Sequence, residues 1–151
     1  VMRSRAAGAQ GRFAYLAWAE GGTEALLVDW DEGVVAELDE AVAREGLRPV
    51  WHARTSGEEP PREVAEALEA RYPGLRTAWF PGCGTLRLDD LKVDLVWAPR
   101  SGAGGLAFIV DERVAFVGSL PAAAAARDER AARSLEVVRE FASEAKLHPA
   151  P

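Results

Sequence analysis

Histidine is nearly missing from this chain: its 151 residues include two, His52 and His148, and a single cysteine, Cys83. Zinc asks for three or four converging nitrogen, sulfur or oxygen donors. These three residues have no ligand spacing with one another, so neither a metal nor any other cofactor is expected. A lone cysteine forms no internal disulfide, in keeping with a reducing, cytoplasmic location. Lysine occurs only at Lys92 and Lys146, so nearly all positive charge is arginine, and the abundance of alanine beside it points to a GC-rich bacterial genome. No run approaches the roughly 20 apolar residues that a membrane span needs. The opening VMRSRAAGAQGR is too short in apolar residues and too broken by glycine for a signal peptide, so no membrane partner is expected. The net charge of −6 and pI near 5.0 oppose binding that depends on neutralising phosphates, which excludes nucleic acid as the default partner.

What is present reads as one folded unit. An apolar fraction of 48% against 28% charged, with five tryptophans, is the composition of a globular domain, expected to span 1–151 with a flexible start over 1–11. FAYLAWA (13–19) and EALLVDW (24–30) read as strands joined by the turn GGT, a hairpin signal. From Asp31 the spacing of Val34, Val35, Leu38, Ala41 and Val42 is helical, with Gly46 at the C-cap. RPVWHAR (48–54) returns to strand, and the polar loop TSGEEPP leads into a helix ending near Tyr72, with Pro60 or Pro61 in its first turn. RTAWF, TLRL, LKVDLVW, LAFIV and RVAFVG come next as strands. The first of these runs into the turn PGCG, and acidic turns sit at Asp89–Asp90 and Asp111–Glu112. From about Ala122 a single helix is expected, with Leu135, Val138, Phe141 and Ala142 as its buried stripe. Strands interleaved with helices and hairpins suggest a mixed sheet covered by helices, an α/β (α+β) architecture. Trp18, Trp30, Trp51, Trp79 and Trp97 fall in or beside strands, where core packing is the expected role.

The stretch WAPRSGAGG (97–105) has the composition of an anion-binding loop. A phosphate cradle, however, places its glycines at the N-terminus of a helix, where free backbone N–H groups and the helix dipole meet the anion. Here strand leads in and strand leads out, with no lysine after the glycines. The loop is read as a surface connection that uses glycine where positive φ is required.

Three passages taken together resemble one family. EALLVDW followed by a helix, VWHARTSGEEPP followed by a helix ending at Tyr72–Pro73–Gly74, and LRLDDLKVDLVWAPRSGAGGLAFIVDERVAFVGS resemble the metallo-β-lactamase superfamily, in particular its glyoxalase II-like hydrolases, over residues 13–120. The resemblance implies a shortened αββα sandwich, with a single helix after Ser119. It also implies that TSGEEPP, WAPRSGAGG and Ser119 meet at one edge of the sandwich. In that family these loops carry an HxHxDH motif, an HTPGHTPG-like motif and a GD pair, and hold metal. Here Thr55 stands before the first motif, and its six places are Ser56, Gly57, Glu58, Glu59, Pro60 and Pro61. In the second, Ala98 and Pro99 match threonine and proline, Arg100 replaces glycine, and Ser101 falls on the ligand histidine. In the third, Gly118 is kept and Ser119 replaces the bridging aspartate. Scaffold positions are present while the ligand positions have changed.

Ser56, Glu58, Glu59, Arg100, Ser101 and Ser119 are accordingly the candidate residues of a vestigial cleft, with no catalytic residue assigned. Glu58 and Glu59 have the chemistry of an acid and base pair or a hard-cation site, or of dipole partners at a helix N-terminus, which is the reading taken. Arg100 has the chemistry to clamp a carboxylate or phosphate, with surface solvation the reading taken; the resemblance implies that Arg100 and the two glutamates supply the charge balance that metal and histidines supply in the family. The serines have no histidine base at any recognisable spacing. Cys83 lacks basic sequence neighbours and reads as a turn cysteine. The expected function is a non-catalytic binding or interaction module that self-associates or takes a protein partner. The alternative is a hydrolase with a relocated or metal-free site in the ancestral cleft.

Overall fold

The computed structural model describes residues 2–9, 12–30, 32–78, 84–142 and 146–149. Two five-stranded sheets stack face to face. The first has the order β1(Met2–Ala9), β2(Arg12–Ala19), β3(Glu24–Val28), β4(Arg48–Ala53), β5(Arg76–Ala78). It is mixed: β1, β2 and β3 pair antiparallel, and β3, β4 and β5 pair parallel. The second runs β10(Lys146–Pro149), β9(Val114–Gly118), β8(Leu106–Val110), β7(Leu91–Trp97), β6(Gly84–Leu88), antiparallel except for the β10–β9 pair.

Central strands of a two-sheet sandwich with outer helices are covered on both sides, so they are apolar throughout rather than alternating. In β8 and β9 all ten residues are buried. Side chains from the inner faces of both sheets form the central core, including Tyr15, Leu26, Val28, Val93, Phe108 and Phe116. The Tyr15 and Phe116 rings meet across it at 5.1 Å. The outer face of the first sheet, with Leu16, Trp18 and Leu27, packs on α1(Val35–Glu45) and α2(Arg62–Arg71) through Val34, Leu38, Leu68 and Tyr72. The outer face of the second, with Val96, Ile109 and Val117, packs on α3(Leu120–Ala125) and α4(Glu129–Phe141) through Leu120, Ala131 and Val138. The layers are αββα, as the resemblance implied.

Most local signals act as read. Gly46 caps α1 at φ 65°. Asp111 and Glu112 both take positive φ, 48° and 58°, the pairing that a two-residue hairpin turn with the sheet's own twist demands. Non-glycine residues adopt it at a cost, and here the Asp111 carboxylate accepts the Lys92 N–H at 2.9 Å.

Five expectations change. The stretch 1–11, expected to be a flexible start, contains β1, whose eight residues pair with β2 in continuous register. Pro61 is the N-cap of α2, at ψ 147°, instead of lying in its first turn, because its backbone is still extended. The single C-terminal helix is two, broken where Arg127 turns to φ 65° and Asp128 caps α4. The strand β10 comes after them, beside β9. Phe141 is 58% exposed although its spacing from Val138 puts it near the face through which α4 buries Ala131, Ser134 and Val138; it is the last residue of the helix. Trp79, Cys83 and most of the PGCG turn lie outside the described residues.

The two sheets depend on the aromatic contact at their centre. Phe116→Ala is expected to lower unfolding free energy by about 3–5 kcal/mol, measured by urea denaturation, with the slope against denaturant unchanged.

Candidate functional site

The strands β3 and β4 end side by side, and the segments leaving them build the first part of the site. After Val28 the chain turns left-handed at Asp29, φ 53°, with the Asp29 N–H held by Ala53 O at 2.9 Å. This turn places the Asp29 carboxylate at the end of β4, where it accepts the Thr55 N–H at 2.8 Å and the Thr55 hydroxyl at 2.6 Å. Burial pushes the Asp29 carboxyl above its usual range, against the Thr55 hydrogen bonds and the Arg54 charge, which favour the anion.

Thr55 also reaches the second sheet. Its carbonyl accepts the Leu106 N–H at 2.9 Å. A Cβ on Gly118 would lie 2.5 Å from Thr55 Oγ1, and Gly118 has φ 57° besides. A Cβ on Gly105 would lie 2.5 Å from Ala98 O, and one on Gly57 would lie 3.4 Å from the Gly105 backbone. The loops 55–61, 97–105 and the end of β9 therefore meet at one edge of the sandwich. Gly57 and Gly105 are pressed on backbone, and Gly118 on the Thr55 side chain.

The candidate residues have ordinary partners in this edge. Ser56 Oγ accepts the Glu58 N–H at 3.3 Å. Glu58 and Glu59 are exposed, and it is their carbonyls that are engaged, by the Arg54 guanidinium at 3.2 and 2.8 Å. The glutamates are not dipole partners of α2, whose first-turn acid is Glu63; Pro60 and Pro61 hold the chain extended before the helix begins. Arg100 makes a backbone bridge to Ala103. The Ser101 N–H and hydroxyl both donate to the Asp128 carboxylate at 2.8 Å. Ser119 precedes α3 without a side-chain cap, its carbonyl accepting the Ala123 N–H.

His52, in β4, is 1% exposed. Its Nε2 accepts the Trp30 N–H at 3.3 Å, so the neutral ring carries its proton on Nδ1. That donor and Trp30 Nε1 are buried with no hydrogen-bond partner among the described residues. His148 lies in β10, in register with Phe116. Burial lowers the His52 pKa from 6.5 to about 4, with the Arg54 charge acting in the same direction.

Among the described residues no group of three or more histidine, cysteine, aspartate or glutamate side chains is placed to hold a metal ion. The donor set at this edge therefore does not fit the metal centre that these loops carry in the family the sequence resembles. A separate groove of about 610 Å³ is lined by Trp30, Glu32, Val35, Ala67, Ala70 and Arg71. None of these belongs to the three loops.

This arrangement of layers and loops defines a metallo-β-lactamase fold. The "Metallo-beta-lactamase from Staphylococcus aureus subsp. aureus COL" superposes with a TM-score of 0.73 at 15% identity, over 99% of this chain and 55% of that one. ETHE1 from Myxococcus xanthus gives 0.63 at 16% identity, over 80% and 57%. An archaeal metallo-β-lactamase superfamily protein from Sulfolobus tokodaii gives 0.59 at 13%, over 99% and 78%. The chain spans little more than half the length of the first two. No protein-family model and no curated protein matches the sequence.

Sequence reasoning named the loops but not the groups that join them. Asp29 was visible only as the acid closing an apolar run, and Asp128 as an acid before a helical stripe, the N-cap signal.

Two substitutions probe this edge. Asp29→Ala leaves the Thr55 N–H and hydroxyl without an acceptor and should cost about 3 kcal/mol. Asp29→Asn keeps an acceptor and tolerates the left-handed backbone, and should cost about 1 kcal/mol; urea denaturation at pH 7 separates them. For His52 the folded pKa lies below the unfolded one, so the native state binds fewer protons between pH 4 and 6.5. Its contribution is complete above pH 6.5 and is lost as pH falls towards 4, by about 3 kcal/mol. Asp29, raised, acts in the opposite direction. The stability difference between wild type and His52→Gln, measured across that range, isolates the histidine and should shift by this amount in favour of the variant as pH falls.

Proposed function

We propose that this chain is a non-catalytic metallo-β-lactamase-fold module that acts through protein contacts, chiefly with a second copy of itself. The observation that supports it is the flank of α4. Val137 is 39% exposed and Phe141 58%, one helical turn apart on the same side, with Arg130, Arg133, Glu136 and Glu140 exposed around them. Both signs of charge at the rim of a small apolar patch suit a self-complementary contact across a two-fold axis. A patch of this size supports a weak association.

The same reading explains the old cleft. Ser56 and Ser101 accept from or donate to neighbouring protein groups, and the exposed glutamates have no converging donor beside them among the described residues. Such a set offers neither an activated nucleophile nor a general base held by an orienting partner.

Sedimentation equilibrium across the micromolar range should show concentration-dependent dimers, and Phe141→Arg should abolish them with less than about 0.5 kcal/mol change in monomer stability. A strictly monomeric wild-type protein rejects self-association. Metal analysis of protein purified without chelator should find substoichiometric zinc, iron and manganese. Stoichiometric metal that is lost in Glu58→Ala or His52→Ala would instead establish an enzyme with a relocated site.

A further inference from the structure

The 97–105 loop is tied to the head of α4 by side-chain hydrogen bonds. Asp128, the N-cap of α4, uses Oδ1 to accept the Arg130 N–H at 3.0 Å and the Ala131 N–H at 3.1 Å. The same oxygen accepts the Ser101 hydroxyl at 2.8 Å, while Oδ2 accepts the Ser101 N–H at 2.8 Å. One turn further along α4, the Ser134 hydroxyl donates to Pro99 O at 2.6 Å, and Ser134 is a buried polar residue, 6% exposed. A single carboxylate thus serves four donors, two from a loop and two from a helix start 27 residues away. The chain accepts a left-handed Arg127, φ 65°, to bring it there. These bonds hold the Asp128 carboxyl below its usual range, the helix and Ser101 donors both favouring the anion.

We propose that Asp128 is a positioning residue that locks the 97–105 loop onto the head of α4, so that opening of the loop and fraying of the helix's first turn are one event. The lock needs no bound ion, because a carboxylate saturated with N–H and O–H donors at 2.8–3.1 Å already satisfies both partners. It has a consequence for the edge as a whole: the position that the sequence resemblance assigns to a metal ligand, Ser101, is engaged with a residue outside the cleft. The inference does not depend on self-association, and a monomer would show it equally.

Residue-resolved amide hydrogen exchange of the full chain tests it. In the wild type the Ser101, Arg130 and Ala131 amides should exchange through a common opening, with similar protection. Asp128→Ala should raise all three rates at least about tenfold, since the carboxylate bonds are charge-assisted. Asp128→Ser retains N-cap ability, so it should restore Arg130 and Ala131 and leave Ser101 fast. Ser101→Ala removes one bond but keeps the Asp128 carboxylate, so it should raise exchange at position 101, Arg130 and Ala131 together, about fivefold. The proposal is overturned if the Ser101 amide exchanges equally in wild type and Asp128→Ala, or if dialysis of the wild type against EDTA removes its protection.

Discussion

The half-buried contact between Asp29 and Thr55 is the constraint on which the edge where the three loops meet depends. Two adjacent parallel strands, β3 and β4, end at the same level, paired through Val28 and Ala53 and by the Asp29 N–H to Ala53 O; beyond that ladder the segments leaving them need a further reason to stay together. Asp29 supplies one by accepting both donors of Thr55. A buried carboxylate is costly unless its lone pairs are used; here two donors of one residue use them. Thr55 is then fixed closely enough for its carbonyl to take the Leu106 N–H, and with that bond the first sheet grips the second.

Once Thr55 is fixed, glycine is required around it. Its side chain approaches β9 so closely that Gly118 has no room for a Cβ, and Gly105 is equally hemmed in by Ala98 O. These glycines let the chain approach its neighbours where a Cβ would not fit. The same composition that suggested an anion-binding loop therefore serves packing. Strand comes directly after Gly105, so the free N–H groups of a helix start are not available there.

The fold was legible because burial writes itself into the chain. All-apolar strands such as LAFIV, an i, i+3, i+4 stripe in α1 and a glycine at its C-cap are each local consequences of the layered core. The approximate meeting of three loops was legible too, through resemblance. What stayed hidden was which polar groups join one another. Asp128 and Ser101 are 27 residues apart, Asp29 and Thr55 26 apart, and nothing in the local pattern of either marks its partner. The break between α3 and α4 was missed for a related reason. Alanine-rich PAAAAARDERAAR reads as one helix, and the turn at Arg127 comes with Asp128 capping α4 and accepting from Ser101. Phe141 was misassigned because helical spacing was counted from Val138 without regard to where α4 ends.

The polar groups of this edge share a property that bears on chemistry. Ser101 donates twice to Asp128, Thr55 donates twice to Asp29, and Arg54 donates to two carbonyls. A catalytic group has to keep a lone pair or proton free for a substrate, and its pKa has to lie near the working pH. His52, which lies beside the edge, is buried beneath Trp30 with a pKa near 4. It is neutral at physiological pH, and a basicity this low makes it a poor proton acceptor there. Groups arranged in this way hold loops in place, and loops so held present a fixed surface. A fixed surface favours recognition by contact, because little ordering entropy is lost when a partner arrives.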